Sequence, residues 1–379
     1  MSAPSSAFTV LGLETSCDET AAAVVRGRAP GPGEILSNIV RTQFDEHRLY
    51  GGVVPEIAAR AHVEILDGVI ERALAQAGLG LEAVDAVAAT AGPGLIGGVM
   101  IGLTTAKALA LAAGKPLVAV NHLEAHALTA RLTEGVEFPF LLLLISGGHC
   151  QLLAVEGVGR FRLYGTTIDD AVGEAFDKTA KLLNAGYPGG PAIEALAVGG
   201  DARRFALPRP MVGREGSDFS LSGLKTAVRQ VARTVLLDSS AKSDLAAGFQ
   251  QAICDVLTDR TRAAMARYVK EIDGNRTLVV SGGVAANHAI GKALSGLCGR
   301  EGFAMKVPPP KLCTDNAAMV AWAGIERSQL ALFDDLATAP MARWPLQETT
   351  RGEPGPPRRP EAVKLGCSGR ELAKKNDGR

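Results

Sequence analysis

Short apolar runs that stop at glycine turns, alternating with longer segments of helical spacing, constrain this chain more than any other feature. Val84–Thr90 is one such run. A Gly/Pro loop, Ala91–Gly98, follows it, then apolar positions at helical spacing over Val99–Ala112 and another short run, Leu117–Val120. Strand, helix, strand in that order predicts an α/β fold with parallel strands, because parallel neighbours need a crossover and a helix supplies it. The alternation then recurs. Leu141–Ile145 reads as a buried strand turning at Ser146-Gly-Gly-His149 into a second strand, Gln151–Val155. Thr277–Val280 leads into Ser281-Gly-Gly-Val-Ala-Ala-Asn287 and a helix. At the start, strand Phe8–Glu14 meets a polar turn, Thr15–Thr20, and a strand through Ala21–Val25. Further helices are expected over Val53–Ala77, Leu224–Leu237, Ala241–Lys270 and Thr314–Phe333.

Two rounds of this pattern imply two lobes, 1–135 and 136–344, with a ligand held in the cleft between them. The last helix, about 314–333, is a candidate to pack back on the first lobe. From 345 to 379, prolines stand among charges without periodic apolar residues, the composition of a disordered tail.

Charge excludes little but directs attention. Forty Lys/Arg balance 40 Asp/Glu, so bulk charge predicts no affinity for nucleic acid. Residues 351–379 hold eight basic and four acidic side chains, which leaves the preceding body acidic by four. At 4% aromatic content a stacking surface for single-stranded RNA is not expected. The six cysteines include no C-x-x-C pair, which argues against a disulfide framework or zinc ribbon and suits a reducing cytoplasm. Met1–Phe8 shows no charged, then apolar, secretory pattern. The apolar stretch Val99–Val120 carries Lys107, Gly114, Lys115 and Pro116, so it reads as helix, turn and strand rather than a membrane span.

Three Gly-Gly turns, Ser146-Gly147-Gly148, Pro188-Gly189-Gly190 and Ser281-Gly282-Gly283, read as following apolar strands. Such a turn exposes backbone N–H groups to a phosphate, although an ordinary connection is built the same way. His122 and His126 lie four apart in Asn121-His-Leu-Glu-Ala-His126, on one face of a helix, where they could grip one cation. Asn121 suits the N-cap, Glu124 completes a capping box, and the positive helix end should keep both imidazoles neutral. Asp315, after Pro308-Pro-Pro310, is a candidate third ligand; capping the last helix is its alternative role. A metalloprotease is a weak rival, since neither H-E-x-x-H nor H-x-x-E-H is present at the pair. Asp170, Glu174, Asp177 and Lys181 fall at helical spacing, either as a solvated face or with a carboxylate placed to accept from a ribose.

The segments Gly12–Thr20, Asn121–His126, Ile145–His149, Asp169–Lys178, Tyr187–Pro191, Ser281–Asn287 and Cys313–Asn316, in this order, resemble those of the universal tRNA threonylcarbamoyladenosine transferase family. Its bacterial branch is labelled TsaD, and it was formerly labelled an O-sialoglycoprotein endopeptidase. The resemblance runs from about Thr9 to Leu336. It implies an actin-like ATPase fold of two related ribonuclease-H-like lobes with a central cleft. It also implies one divalent metal, iron favoured and zinc the alternative, on His122, His126 and Asp315. Substrate-binding positions carried over are Leu144, Ile145, Ser146, Gly147, Gly148, Asp177, Gly190, Glu194 and Asn287, with Glu194 standing where relatives often carry Asp. The implied reaction moves threonylcarbamoyl from threonylcarbamoyl-AMP to N6 of the adenosine 3′ of the anticodon in tRNAs reading codons that start with A, releasing AMP. A TsaB-like paralogue and a TsaE-like ATPase are the implied partners in bacteria, in the cytoplasm and away from membranes. No residue is assigned as general base; Asp18 and Glu19 are as readily turn-stabilising side chains as phosphate contacts.

Two rivals differ in what they need. A small-molecule kinase of the same superfamily would use the glycine turns but not the histidine pair. A non-catalytic scaffold would have lost the motifs that stand here. The basic tail reads as a solubilising extension. Truncation at Gln347 is therefore expected to leave tRNA affinity and its salt slope unchanged in filter binding; a shallower slope would make the tail a phosphate contact.

Overall fold

The computed structural model describes residues 7–43, 47, 52–236 and 238–346. Among them, ten strands form two mixed sheets of five. The first contains β1 (Phe8–Glu14), β2 (Glu19–Gly27), β3 (Glu34–Thr42), β4 (Ala86–Gly92) and β5 (Leu117–Asn121), in the order β3-β2-β1-β4-β5. The second contains β6 (Phe140–Ile145), β7 (Cys150–Gly157), β8 (Arg160–Thr166), β9 (Thr277–Ser281) and β10 (Ala304–Lys306), in the order β10-β9-β6-β7-β8. Each sheet joins an antiparallel meander to parallel strands: β1–β2 and β2–β3 run antiparallel, β1–β4 and β4–β5 parallel. The expectation of parallel strands thus holds for half of each sheet. The antiparallel halves include β3 and β8, which sequence reading missed because their exposed, charged residues (Glu34, Arg41, Arg160, Arg162) break up the apolar runs.

Helices cover both faces. On one face of the first sheet lie α1 (Pro55–Ala77) and α2 (Ile96–Ala113), closing a core of Leu11, Leu13, Leu66, Val69 and Leu103. Gly78 and Gly114 end these helices in the left-handed conformation, as glycines at those positions do. By length and composition α2 could cross a membrane; here it packs on β4 and α1 and is followed by a turn and β5.

Next in chain order is α3 (His122–Glu134), in which every residue from His122 to Leu132 is buried. It lies between the two sheets. Ala125, Leu128 and Leu132 join the core of the first sheet, while Leu123, Ala127 and Ala130 pack with Phe140, Leu142 and Val279 of the second. The second sheet's other face carries α4 (Val172–Leu183), α5 (Gly189–Ala197), α6 (Ser222–Thr234), α7 (Ser239–Glu271) and α8 (His288–Glu301).

The last helix, α9 (Ala317–Gln329), belongs by sequence to the second half but packs on β1, β2, β4 and α3. It is shorter than the expected 314–333. Residue 346, assigned by composition to the tail, is Leu346, buried beside Phe140 and Leu142. The rest of the expected tail, 347–379, lies outside the described residues.

Small side chains allow α9 its close approach to β1. A Cβ built on Gly12 would stand 2.5 Å from both the Ala317 carbonyl oxygen and the Ala321 nitrogen, which are backbone atoms that cannot swing aside. Gly12→Ala is expected to lose about 1–3 kcal/mol of stability, seen as a lower urea midpoint; an unchanged midpoint would mean that the α9–sheet contact can slide.

Candidate metal and nucleotide site

The site starts at the end of β5. Asn121 is the last strand residue and also the N-cap of α3, its side-chain oxygen accepting from Leu123 N–H at 2.9 Å and Glu124 N–H at 3.4 Å. Helix therefore begins directly at His122, and His126 follows one turn later. The two rings meet edge to face, centroids 4.8 Å apart. Glu124 does not fold back as a capping box; its oxygens accept from Gly159 N–H at 2.8 Å and from Arg327 at 3.0 Å.

Asp315 arrives from a loop ahead of α9. It does not cap that helix: Asn316 does, accepting from Met319 N–H at 3.1 Å. Asp315 Oδ1 is free to stand 3.0 Å from His126 Nε2 and 3.5 Å from His122 Nε2. One ligand atom from each of the three residues lies within 4.8 Å of the others.

This donor set fits a divalent metal. Two imidazoles and a carboxylate suit zinc or iron and leave coordination positions open. Behind His122, Glu14 Oε2 stands 2.9 Å from Nδ1, which turns Nε2 toward Asp315 in the carboxylate–imidazole arrangement that orients metal ligands. Glu14 is itself tied down, accepting from Ser16 N–H at 2.6 Å and from the Thr90 hydroxyl at 2.7 Å. His126 Nδ1 is buried with no hydrogen-bond partner, an orphan polar atom at the cluster.

Charge at the cluster corrects one sequence expectation. Burial alone would lower His122, but the carboxylates of Asp315 and Glu14 outweigh it and raise the imidazole well above its ordinary value. Burial likewise opposes ionisation of Asp315, yet His122 and His126 hold its carboxyl well below the usual range. Two carboxylates at hydrogen-bond distance outweigh the helix end. A cation bound here would displace the His122 proton, since ligation requires neutral imidazole. His149, by contrast, is pushed down to about 4 by burial and by the neighbouring histidines.

The cluster opens into a cavity of about 440 Å³ lined by Ser16–Glu19, Pro93–Leu95, Ser146–His149 and Thr314. An adjoining cavity of about 290 Å³, with Gly147, Gly283 and Thr314 in common, is lined by Asp177, Gly190, Glu194 and Asn287. A larger cleft, about 760 Å³ between α7 and α8, contains none of these residues, so size does not mark the site. Chemistry does.

The sequence-derived residues enter the cavities in different ways. Leu144 and Ile145 are fully buried strand residues, able to contribute only backbone. Ser146 closes its turn, its Oγ accepting from His149 N–H at 3.1 Å. Gly147 and Gly148 have open space where a Cβ would point, so the protein's own packing does not demand glycine there. Gly282, at φ +96°, presses against Ile145, where a Cβ would come 2.4 Å from the carbonyl oxygen. Pro188–Gly190 does not follow a strand; it opens α5 after α4, and Asp177 Oδ1 accepts from Gly189 N–H at 2.7 Å. Burial keeps the Asp177 carboxyl above its usual range. Glu194 accepts from His288 N–H at 2.8 Å, and Asn287 caps α8. The acidic stretch shares a face only in part: Glu174, Asp177 and Lys181 fall at helical spacing on α4, but Asp170 precedes it and pairs with Lys178 and Lys225, Glu174 pairs with Lys178, and of the four Asp177 lines the cavity.

A family model for tRNA N6-adenosine threonylcarbamoyltransferase matches residues 34–322. The chain belongs to the tRNA N6-adenosine threonylcarbamoyltransferase family. It is 60% identical over 338 residues to a protein of that name from Methylocapsa acidiphila, covering 89% of this chain and 96% of the relative. Its likeness to one from Brucella canis is 61% over 342 residues, 89% of this chain and 95% of the relative. Among solved structures, HypF from T. kodakarensis aligns at a TM-score of 0.58 and 14% identity over 86% of this chain. This chain spans 48% of that HypF chain, and the likeness concerns fold alone. The architecture is the actin-like ATPase fold, two mixed sheets flanking a cleft.

Within this transferase family member, Glu14 and His149 are among the site residues that sequence reasoning left unassigned. Glu14 gave one signal: a carboxylate closing a mostly apolar strand, with no cation nearby in sequence. Glu14→Gln is expected to weaken metal binding by about 10–100-fold, measured by chelator competition; unchanged affinity would show that His122 needs no carboxylate behind it.

Proposed function

We propose that this chain transfers the threonylcarbamoyl group of threonylcarbamoyl-AMP to N6 of the adenosine 3′ of the anticodon in tRNAs reading codons that start with A, releasing AMP. The observation that carries the reading is the convergence of His122, His126 and Asp315 from distant parts of the chain beside the Gly147–Gly148 turn, in a chain of this family. We read the metal as iron, with zinc as the ion the same donors would also accept. Threonylcarbamoyl-AMP and tRNA are the substrates, a TsaB-like paralogue and a TsaE-like ATPase the partners, and the cytoplasm the compartment. We read 1–135 and 136–344 as the two lobes that hold the substrates.

The chemistry required is an acyl transfer to a poor nucleophile. N6 forms a C–N bond to the carbamoyl carbon, the C–O bond to phosphate breaks, AMP leaves with the electron pair, and N6 gives up one proton to the surrounding water. A metal held by His122, His126 and Asp315 would supply a Lewis acid for orienting and polarising the carbonyl. The chain's own residues do the rest. The Ser146–His149 turn holds the phosphate through the backbone N–H groups of Gly147 and Gly148, neither of which bonds to any described residue. These donors favour the charge that develops on phosphate as AMP departs. Asp177 keeps the Pro188–Gly190 turn in place, and with Glu194 and Asn287 it surrounds the nucleoside end in the smaller cavity. Buried Leu144 and Ile145 set the strand from which the phosphate turn springs. A kinase reading would leave the histidine pair without a purpose.

The test supplies the chain and its partners with threonylcarbamoyl-AMP and tRNA, then measures modified nucleoside by mass spectrometry. One AMP per modified adenosine is expected, and the His122→Ala/His126→Ala variant should lose bound metal and transfer together. Full transfer by a metal-free double variant would remove the metal from the reaction.

A further inference from the structure

Two buried ion pairs join α3 to α9, and nothing in the reaction uses them. Arg131 Nε lies 2.7 Å and 3.1 Å from the two Glu326 oxygens, and Arg327 Nη1 lies 3.0 Å from Glu124 Oε2. Glu124, Arg131 and Glu326 are 2%, 4% and 2% exposed, and the Arg327 side chain 12%. Glu124 and Arg131 are seven residues apart, two turns along one face of α3, whereas Glu326 and Arg327 are adjacent on α9. The pairs therefore pin α9 at two points along α3.

Stability alone does not account for them. Removing four charged groups from water is costly, and apolar residues of similar volume fill such sites as well or better. What ion pairs add is direction. Alongside Trp322, Met319, Val320 and Ile325, the α9 side of this core carries Ala317, Ala318, Ala321 and Ala323, which have no shape to resist sliding along the helix axis. A guanidinium N–H aimed at both oxygens of a carboxylate, as Arg131 Nε is on Glu326, does resist it.

Axial position matters because the metal ligands ride on these two elements. His122 and His126 occupy the first turns of α3, and Asp315 stands two residues ahead of Ala317, the first residue of α9. A shift of α9 by one residue would carry Asp315 about 1.5 Å along the axis, half its 3.0 Å separation from His126. The same network reaches the second sheet. Glu124 Oε1 accepts from Gly159 N–H in the β7–β8 turn at 2.8 Å. Arg131 also donates to the Val136 carbonyl and lies 3.8 Å from the centre of the Phe138 ring, in the segment that leads from α3 to β6.

We propose that Glu124, Arg131, Glu326 and Arg327 are positioning residues that set the register of α3 against α9 and, through it, the spacing of His122, His126 and Asp315. This rests on those three side chains being metal ligands.

The test measures cobalt(II) on the full chain stripped of metal, by chelator competition and by the ligand-field absorption bands, beside calorimetric melting of the metal-free protein. The variants are Arg131→Met/Glu326→Leu and Glu124→Leu/Arg327→Met, each removing a whole pair, and Arg131→Lys, which keeps charge but not the planar guanidinium. Each pair variant is expected to fold cooperatively while binding cobalt about 10–100-fold more weakly, with shifted bands; Arg131→Lys should shift the bands in the same sense. Wild-type affinity and bands in every variant that folds would overturn the inference. So would unfolded pair variants beside an unshifted Arg131→Lys, because the network would then serve the fold alone. A wild-type chain that takes up no cobalt, or takes it equally as His122→Ala, would instead overturn the assignment of the ligands.

Discussion

The whole arrangement depends on a helix that has no solvent face. Between His122 and Leu132, α3 is buried throughout, with the first sheet and α9 on one side and the second sheet on the other. A helix so placed must either be apolar all round or find a partner for each polar group. This one mixes the two: alanines and leucines fill two cores, while His122, Glu124, His126 and Arg131 meet carboxylates, a guanidinium or a backbone donor, and His126 Nδ1 alone of their buried polar atoms has no partner. The histidines are thus held at the junction of the two sheets, where burial opposes a charge on His122 and the carboxylates of Asp315 and Glu14 retain it.

The cleft follows from that placement. Both sheets aim the ends of their central strands at the start of α3: β1 ends in Glu14 behind His122, and β6 ends in the Ser146 turn. Glycines let these turns crowd together, with Gly282 pressed onto the Ile145 carbonyl. Where Gly147 and Gly148 face open space instead, room is left for a ligand's phosphate rather than for the protein's own packing. The histidine–aspartate cluster and the open glycine turn consequently share one wall of the cavity.

α9 shows how a site can be completed by chain that comes last. The helix is built largely of small residues, so it lies close on β1 and β4, and Asp315 arrives at its mouth beside histidines almost two hundred positions earlier. Asn316 takes over the capping duty, which frees the aspartate. The result is a His–His–Asp cluster drawn from parts of the chain far apart in sequence.

Much of this was legible in the residues. Apolar runs and glycine stops marked most strands and helices, Asn121 marked the start of α3, and the spacing of His122 and His126 placed both on one face. Those are local properties, set by periodicity and by what a backbone turn allows, and the sequence by itself determined them. Tertiary structure alone decided the rest. It sent Glu124 to Gly159 and Arg327 instead of to a cap, put Glu14 behind His122, and withdrew Asp170 into an ion pair with Lys178 and Lys225. It also left His122 under the control of carboxylates rather than of its helix dipole. The physical reason is common to all four: a buried charge is governed by whichever opposite charge or donor lies within a few ångströms, and that neighbour comes from a part of the chain with no local trace in the motif it serves.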